Sequence, residues 1–370
     1  MKRVLFGLVV LILFSKGGVA GEPVYVFREK DGSVGTIHNL ALEDMKLHPN
    51  QSFWYTESYF FIAYLESGEI AYLNLIISNM GLKKNQPAVT LTVITPERKR
   101  LTTEKDFAPE DLKLAQDRFE LKIGGNLLAG TDRELSLRVS QGTLSLELDF
   151  KSTVPGFKLG DGAVYFGDKK DSFYSINYPA PRSRVSGNIS CDGKKVQAQG
   201  WGYVDHCWYN SNTTDFEEIW HNLKLFSDQG TLILTSFTTP EKYGNKLVGI
   251  AALVDDSKVV FATTDLKVSE FNHDFDAVGQ KKYPRRILYE FLGPGYSGNI
   301  DFNSSKVVEK MDVLEKLDKG AAKALKWTIN KFVAKPFYYR SFGPAELVLE
   351  QKSAASRIQG KASCEVIFVK

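Results

Sequence analysis

The feature that most constrains this chain is an alternation of apolar and polar residues with a period of two, which recurs along most of its length. Runs rich in β-branched and aromatic residues, such as "FWYTESYFFIAYL" and "EIAYLNLIISN", are separated by turn residues such as Glu66-Ser67-Gly68. Alternation of this kind places every second side chain on the same face of a strand. One series of strands is followed by a second, so we predict an all-β protein with two antiparallel barrels or sandwiches.

A change of composition marks the expected boundary between the two domains. The stretch "VPGFKLGDGAVYFGDKKDSFYSINYPAPRS" is rich in Gly, Pro and Asp and interrupts the alternation. Such residues are typical of turns and connections, so we place the junction near its end, around Tyr178 to Arg182. The sequence therefore predicts an N-terminal barrel over residues 22–180 and a C-terminal barrel over residues 181–370.

The first twenty residues have the pattern of a targeting segment. Lys2 and Arg3 precede an apolar run that is too short to span a bilayer, and small residues follow it,. We expect residues 1–20 to be a cleaved signal peptide and the mature protein to be periplasmic or secreted.

The mature chain is expected to have no net charge. Without Lys2, Arg3 and Lys16, the 47 basic residues are reduced to the same number as the 44 acidic residues. A neutral chain lacks the basic surface typical of nucleic-acid-binding proteins, so no nucleic-acid partner is expected.

One segment departs from the strand pattern. Between residues 305 and 335, apolar side chains recur at helical spacing with lysines across the opposite face. These apolar residues are Val307, Met311, Leu314, Ala321, Leu325 and Phe332. We predict an amphipathic helix in the C-terminal domain, whose apolar stripe caps the second barrel or, alternatively, makes a peripheral contact with a membrane.

Motifs for metals and cofactors are missing from the sequence. It contains no paired-cysteine zinc pattern, H-E-x-x-H, phosphate-binding loop or G-x-S-x-G elbow,. "GPGYSG" at 293–298 has dinucleotide spacing, but strand-like "NIDFN" follows it where a pyrophosphate needs a helix N-terminus,. His273, Asp274 and Asp276 lack a second ligand cluster and are expected in an exposed polar loop. We therefore predict no metal and no cofactor.

The three cysteines, Cys191, Cys207 and Cys364, permit at most one disulfide,. Asp192-Gly193 is typical of a tight hairpin turn, which places Cys207 far along the strand that returns from Cys191. We expect all three to be small buried side chains, with a bridge to Cys364 as the alternative.

The stretch "GWGYVDHCW" at 200–208 concentrates the candidate chemistry. On a strand, Trp201, Tyr203 and Asp205 lie on one face, while His206 and Trp208 lie on the other,. A carboxylate among aromatic side chains loses hydration, so Asp205 could remain protonated near neutral pH and donate a proton. The alternative is structural: Asp205 bonds a turn and His206 packs.

The same stretch resembles the G-x-G-Y-x-D-H-x-W signature of the lipocalin-like family that contains hydroxyneurosporene synthase, a carotenoid hydratase, and the AttH proteins. Upstream, "YLNLIISNMG", "VPGFKLGDGAVYFG" and "YPAPRSRVSGNI" resemble the related Svf-type ceramide-binding survival-factor proteins. The resemblance implies two tandem lipocalin-like barrels of the calycin type, with a hydrophobic ligand site in or between them. The hydratase and the related pericyclases imply acid-assisted chemistry on polyenes, whereas the Svf-type proteins imply lipid carriage without catalysis.

Further positions agree with or depart from this resemblance. Trp54 and Tyr55 match an early W-Y of the family, and Arg340 begins its late R-x-x-G. The hydratase-like members read D-H-N-W-G, and here Cys207 and Tyr209 replace the Asn and the Gly. The resemblance therefore implies a similar pocket without the amide that could position a substrate or the acid.

Two main hypotheses follow. The first is an exported carrier of an apolar lipid or isoprenoid, held in an aromatic pocket at or near the contact of the two barrels. Its predicted ligand-binding residues are Trp54, Tyr55, Trp201, Trp208, His221 and Arg340. His221 is a candidate because it shares a strand face with Leu223 and Leu225, although a histidine on an apolar face is usually a satisfied core residue.

The second hypothesis is a hydratase-like or cyclase-like enzyme. In it Asp205 is the general acid on a double bond, and Tyr203 or His206 positions the cation or the water. A third hypothesis, a structural or adhesion module, is favoured if both barrels are filled solid with side chains. For the first two we expect Trp201, Tyr203 and Asp205 to face an apolar cavity near the barrel contact, with His206 at its rim or behind it.

Overall fold

A computed structural model describes the chain over residues 21–80, 84–314, 335–351 and 354–369. Within these ranges the chain is built almost entirely of antiparallel strands, which confirms the predicted all-β class. The two α-helices of the described residues are single turns, α1 (Leu42–Met45) and α2 (Thr213–Phe216), and 3₁₀ turns occur at Pro109–Asp111 and Glu241–Tyr243. No helix in these ranges is long and apolar enough to cross a membrane.

The first sheet contains fifteen strands among the residues that the structure describes. In chain order, β1 to β15 are Val24–Val26, Ile37–Asn39, Thr56–Leu65, Ile70–Ser78, Gln86–Ile94, Arg100–Asp106, Leu112–Leu114, Phe119–Ile123, Asn126–Gly130, Glu134–Gln141, Leu144–Ser152, Phe157–Leu159, Ala163–Phe166, Ser172–Cys191 and Lys194–Tyr209. The main path is β6-β5-β4-β3-β15-β14-β11-β10-β9-β8-β7. The long hairpin β14–β15 therefore lies at the middle of the sheet.

In the described part of the chain, the second sheet contains ten strands. In chain order, β16 to β25 are Ile219–Ser227, Gly230–Thr238, Leu247–Val254, Val259–Thr263, Asp265–Asp276, Lys281–Gly293, Tyr296–Asn303, Lys306–Asp312, Phe337–Gln351 and Ala354–Phe368. The path is β19-β18-β17-β16-β25-β24-β22-β21-β20, and β23 also pairs with β24. The C-terminal strand β25 thus lies in the middle, between β16 and β24.

Both sheets curl back on themselves. In the first, Gln141 at the end of β10 donates a 3.4 Å hydrogen bond from Nε2 to the carbonyl oxygen of Val89 on β5. In the second, the hydroxyl of Tyr296 on β22 donates to the carbonyl oxygen of Ala262 on β19 at 3.2 Å. Each curled sheet encloses an apolar core of its own, which is the arrangement of lipocalin-like barrels.

A further apolar core lies between the two sheets and explains the nearly continuous apolar runs. On β3, Phe61 faces the interior of the first barrel and Ile62 faces the second sheet. On β17, Leu234 faces the interior of the second barrel and Ile233 faces the first sheet. Because both faces of these strands are covered, neither face needs polar residues.

The change from one sheet to the other falls later than the junction expected at residues 178–182. Strand β14 runs through that junction, and β14 and β15 pair with β11 and β3 of the first sheet. Backbone groups need partners when buried, so these strands complete the first barrel. The Gly- and Pro-rich stretch instead forms β12, β13 and two irregularities of register between Asn177 and Ser183. The first sheet therefore ends at Tyr209 and the second begins at Ile219.

The helix predicted over residues 305–335 is wrong at its beginning. Lys306–Asp312 is strand β23, which pairs antiparallel with the start of β24. Val307 and Met311 are four residues apart, a spacing that puts side chains on one side of a strand as well as of a helix. Backbone hydrogen bonding to β24 makes this segment a strand and not a helix. Residues 315–334 lie outside the described part of the chain.

Three smaller predictions have clear outcomes. The cysteines are free, as expected, although only Cys364 is fully buried, while Cys191 and Cys207 are partly exposed. "GPGYSG" forms the turn from β21 into β22. A strand follows it, as expected, and not the helix that a dinucleotide site requires. His273 and Asp276 lie on strand β20 instead of in an exposed loop, and Asp276 is buried beside Tyr339.

Candidate functional site

Strand β15 directs its polar side chains to two different places. Tyr203 belongs to the core between the sheets, and its neighbour Val204 belongs to the core of the first barrel. Asp205 follows Tyr203 toward the second sheet, whereas His206 follows Val204 and stacks on Tyr59 inside the first barrel. The alternation read from the sequence therefore separates two clusters, one on each face.

The first group, which we call the interface cluster, consists of Tyr203, Asp205, Lys224, Arg340 and Glu365. Tyr203 donates a 2.8 Å hydrogen bond from its hydroxyl to Oδ2 of Asp205, and Nζ of Lys224 lies 3.8 Å from the same oxygen. Burial raises the pKa of Asp205 to about 6, although Lys224 and Tyr203 act in the opposite direction. Burial also lowers the pKa of Lys224. Asp205 thus has the desolvation expected from the sequence, together with a cation that the sequence did not indicate.

A chain of hydrogen bonds extends the interface cluster across the second sheet. Lys224 donates to Oδ1 of Asn222, and Nδ2 of Asn222 donates to Oε2 of Glu365 at 3.1 Å. Arg340 donates from Nε and Nη2 to Oε1 of Glu365 at 3.0 and 2.8 Å, and from Nη1 to Oε2 of Glu309 at 2.9 Å. The charges alternate in sign, which is how buried ionised groups are tolerated.

Contacts from the first sheet join this network and bind the barrels together. Arg100 of β6 donates to Glu309, and the guanidinium of Arg340 lies 3.8 Å over the ring of Tyr72 on β4. Trp201 lies between two arginines, and one of them, Arg182, is fully buried and donates to Asp256 beyond β18 at 2.7 Å. Arg182, stacked on Trp201, and Arg340 therefore link the two sheets.

Two buried polar atoms in the core between the sheets lack a hydrogen-bond partner among the described residues. They are the hydroxyl oxygen of Tyr174 and Oε2 of Glu217. Tyr174 lies edge-on to Trp220 and Phe237, with ring centroids 5.1 and 5.6 Å apart. Burial raises the pKa of Glu217 well above its ordinary value. Buried polar groups are nearly always paired in native proteins, so this concentration marks a place where a ligand's polar atoms would be stabilised.

The second group, which we call the Glu57 cluster, consists of His48, Tyr55, Glu57 and His206. Nε2 of His206 lies 2.6 Å from Oε1 of Glu57, and Nδ1 of His48 lies 3.0 Å from the same oxygen. The backbone N–H of His48 and the hydroxyl of Tyr55 both donate to Oε2. Burial would raise the pKa of Glu57, but the hydrogen bonds from His206 and His48 hold it at about 2.

The Glu57 cluster closes one end of the first barrel. Its histidines lie among aromatic rings: His48 stacks on Trp208 and His206 stacks on Tyr59, with ring centroids 4.0 Å apart in both pairs. Tyr59 also lines a cavity of about 350 Å³ at the same end of the barrel. The walls of this cavity include Leu47, Leu114, Phe119 and Leu121, and its rim includes Lys46, Arg118 and Glu120.

The other predicted site residues separate in space. Trp54 is 39% exposed and lies edge-on to Phe53. Its neighbour Tyr55 is buried, and its hydroxyl donates a hydrogen bond to Glu57. His221 lies in the second barrel, where Nε2 is 2.9 Å from a carboxylate oxygen of Glu270 without the alignment of a hydrogen bond. The predicted ligand-binding residues are therefore distributed over both barrels and the surface and do not form one group.

Sequence reasoning did not identify Glu57, His48, Lys224 and Glu365. A signal was present for two of them. Glu57 has the same parity on β3 as the core residues Tyr59 and Phe61, and Lys224 stands between Leu223 and Leu225 on a strand that buries both faces. A charge at a buried strand position requires a partner, which is the signal that could have revealed both.

Two curled antiparallel sheets, each enclosing its own core and joined through the face that carries Asp205, define a lipocalin-like protein with two barrels. Residues 27–370 match the family model of the Svf1 family, and the chain belongs to that family.

Named relatives and solved structures agree with this assignment. The chain is 24% identical over 355 residues to the ceramide-binding protein svf1 of Schizosaccharomyces pombe, and the match covers 91% of each chain. It is 22% identical over 355 residues to the ceramide-binding protein SVF1 of Eremothecium gossypii, covering 90% of this chain and 89% of the other.

Solved structures share the fold at lower identity. A crystal structure of an AttH-type protein from Nitrosomonas europaea has a TM-score of 0.63 at 15% identity, covering 89% of this chain and 96% of that one. Kievitone hydratase from Nectria haematococca has a TM-score of 0.58 at 12% identity, covering 95% and 98%. At these identities the likeness concerns the fold alone.

Proposed function

We propose that this protein is an exported carrier of a ceramide-class lipid, which it holds in an aromatic pocket between its two sheets. The observation that carries the proposal is membership of the Svf1 family over residues 27–370, with named relatives that bind ceramide and match along almost their whole length.

The chemistry of the core between the sheets supports a lipid with a small neutral head group. A ceramide has one amide and hydroxyl groups beside two hydrocarbon chains. Its hydroxyls and amide N–H can donate to Oε2 of Glu217, and its carbonyl can accept from the hydroxyl of Tyr174; both protein atoms lack partners among the described residues,. The surrounding rings, including Trp220 and Phe237, suit the chains. Burial of apolar area, at about 25 cal/mol per Å², would provide most of the affinity.

The residues named from the sequence have different roles in this proposal. Tyr203 and Asp205 form part of the polar floor of the pocket. Arg340, and Arg182 stacked on Trp201, link the sheets that form its walls. Trp54, with Phe53, is an exposed apolar contact for the membrane from which the lipid is taken. Lys224, which faces Asp205, stabilises the carboxylate and so opposes the proton donation that a hydratase-like reaction would require.

Lipid extraction from the purified full chain tests this function. The protein is incubated with vesicles that contain ceramide in an excess of phospholipid and is then re-isolated, extracted with organic solvent and analysed by mass spectrometry. We expect ceramide to be enriched over phospholipid and recovered with unchanged mass. Recovery of no lipid contradicts carriage, and a product heavier by one water identifies a hydratase instead.

The export part of the proposal rests on the sequence of residues 1–20, with two basic residues, an apolar run and small residues in order,. N-terminal sequencing of the mature protein from its native source provides the test. We expect the mature chain to begin close to residue 21. A mature chain that retains the apolar run contradicts export through a cleaved signal.

A further inference from the structure

We propose that the Glu57 cluster is a binding site for a divalent metal ion, with zinc as the ion that fits its donors. Three segments of the chain supply one ligand atom each: Nδ1 of His48, a carboxylate oxygen of Glu57 and Nε2 of His206. These atoms lie within 4.8 Å of one another. Two imidazoles and one carboxylate are a common donor set for zinc. The inference is independent of the lipid that the protein carries.

The hydrogen bonds of His206 place either a proton or a metal ion beside its other nitrogen. Nδ1 of His206 lies 3.2 Å from the backbone carbonyl oxygen of Asp44, which can only accept, so this nitrogen carries a hydrogen. In the neutral ring, Nε2 then presents a lone pair to Oε1 of Glu57 at 2.6 Å. Two lone pairs at this distance repel each other, so either a proton or a metal ion must lie between them.

The surroundings of His206 have the form of the outer shell of a metal site. A metal-binding histidine usually donates its second ring N–H to a carbonyl or a carboxylate, which fixes the tautomer. Asp44 provides that carbonyl, and its own carboxylate is held by Nζ of Lys158 at 2.6 Å. The amide of Asn177 donates to the same carbonyl at 3.1 Å. The orientation of the His206 ring, and with it the direction of the Nε2 lone pair, is therefore fixed before an ion binds.

The remaining ligands are also held in place. The ring of His48 is nearly parallel to Trp208, at an interplanar angle of 7°, and that of His206 to Tyr59, at 9°. Glu57 is fully buried, whereas the side chain of His48 is 30% exposed. The buried ligands give the site rigidity, and His48 gives an ion a path from solvent.

Bound zinc would connect the segment between α1 and β3 to the middle of the first sheet. His48 lies in that segment, and Glu57 and His206 lie on the paired strands β3 and β15. The segment covers the end of the barrel where Leu47 and Tyr59 line the cavity. We therefore assign a structural role to the ion: it closes this end of the barrel.

Metal binding is tested with the full chain, expressed without a histidine tag, stripped with a chelator and then titrated with zinc and, separately, with cobalt. We expect one ion per chain, measured by elemental analysis, and a cobalt absorption spectrum typical of a low-coordinate nitrogen and oxygen site. His206→Gln and His48→Gln should each weaken binding at least about tenfold, which corresponds to about 1.4 kcal/mol.

His273→Gln is the matched control, because His273 also lies beside a glutamate, with Nε2 3.1 Å from Oε2 of Glu270. It should bind zinc like the wild type. Circular dichroism establishes that the variants are folded, and His48→Gln, at the more exposed ring, keeps the test valid if His206→Gln unfolds. No zinc bound by the folded wild type overturns the proposal and leaves a proton between Glu57 and His206. Equal binding by the wild type and His48→Gln also overturns it.

Discussion

Lys224 of the second sheet places its Nζ 3.8 Å from Oδ2 of Asp205 of the first sheet, at the contact between the two barrels. Their side chains are only 2% and 6% exposed. Removing two such charges from water costs several kcal/mol each, which their attraction only partly offsets. The pair therefore depends on both members, because loss of one leaves the other charged, buried and poorly compensated.

A double-mutant cycle across this pair measures that dependence. Asp205→Asn and Lys224→Met should each lower the free energy of unfolding by about 2–4 kcal/mol. The double variant should lose less than the sum of the two by about 1–3 kcal/mol, because neither charge is then left alone. Urea denaturation followed by tryptophan fluorescence gives the values.

The exposed pair Arg138 and Asp149 serves as the control for this cycle, since its atoms are 2.8 Å apart but its side chains are 40% and 51% exposed. Its coupling should stay below about 1 kcal/mol. Additive losses for Asp205 and Lys224 would show that the two charges do not interact across the barrel contact.

Gly200, the first residue of the motif, should tolerate no side chain. A Cβ built on it would lie 2.0 Å from the carbonyl oxygen of Tyr64 on the neighbouring strand β3. Gly200→Ala should therefore lower the free energy of unfolding by about 1–3 kcal/mol. Gly125→Ala is the control, because its Cβ would meet nothing within 4 Å. Equal stability of the two variants in urea denaturation would contradict the close approach of β15 and β3.

The strands were predictable from the sequence because runs of β-branched and aromatic residues lie between turn residues, even along β3 and β17, where both faces are buried and the alternation is lost,. The alternation also separated Asp205 from His206 correctly. Two features were not predictable. The spacing of Val307 and Met311 fits a strand as well as a helix, and only the partner strand β24 decides. The junction near residue 180 was read from glycines and prolines, which here produce irregularities inside the first sheet.

The composition of the candidate site was less accessible to sequence reasoning. Glu57 comes next to His206, 149 residues away in the chain, only because β3 pairs with β15, and Lys224 comes next to Asp205 only because the two barrels are in contact. The family resemblance brought attention to Tyr203 and Asp205. It did not indicate that a buried lysine from the other barrel faces Asp205, because that contact depends on how the two sheets pack.

Glu217 should make stability depend on pH in a specific way. Burial raises the pKa of this carboxyl above its ordinary value of 4.5, so the folded protein holds a proton that the unfolded chain releases. The stabilisation that comes from this bound proton is complete when the pH is below the ordinary pKa of 4.5. It decreases as the pH rises above 4.5, by up to about 1.4 kcal/mol per pH unit. Glu217→Gln should match the wild type at about pH 4 and exceed it in stability at about pH 7.

Urea denaturation at several pH values provides this comparison. Glu241→Gln is the control, because Glu241 is exposed in a 3₁₀ turn, and it should follow the wild type at every pH. A difference between Glu217→Gln and the wild type that does not change with pH would show that folding does not shift the pKa of Glu217.

Phe53 and Trp54 should contribute to lipid uptake from membranes. They are 52% and 39% exposed, and their rings pack edge to face with ring centroids 5.0 Å apart. Adjacent exposed aromatic side chains suit the membrane interface. Phe53→Ser with Trp54→Ser should slow ceramide transfer between vesicles by about tenfold, a loss of about 1.4 kcal/mol of membrane contact. Val278→Ser, at a residue that is 73% exposed elsewhere, is the control. An unchanged transfer rate in the double variant would exclude this loop from uptake.

The most direct test of the central claim is an equilibrium titration of the purified chain with fluorescently labelled ceramide, comparing wild type with Tyr174→Phe. We predict saturable binding of one ceramide per chain, weakened about 3- to 10-fold by loss of the hydroxyl that bonds the head group, or about 0.5–1.5 kcal/mol. Tyr289→Phe is the control, because its hydroxyl lies 3.0 Å from Ser236, inside the second barrel, and it should bind like the wild type. Absence of saturable binding to the wild type would contradict ceramide carriage, and equal affinity of all three proteins would contradict the placement of the lipid between the sheets.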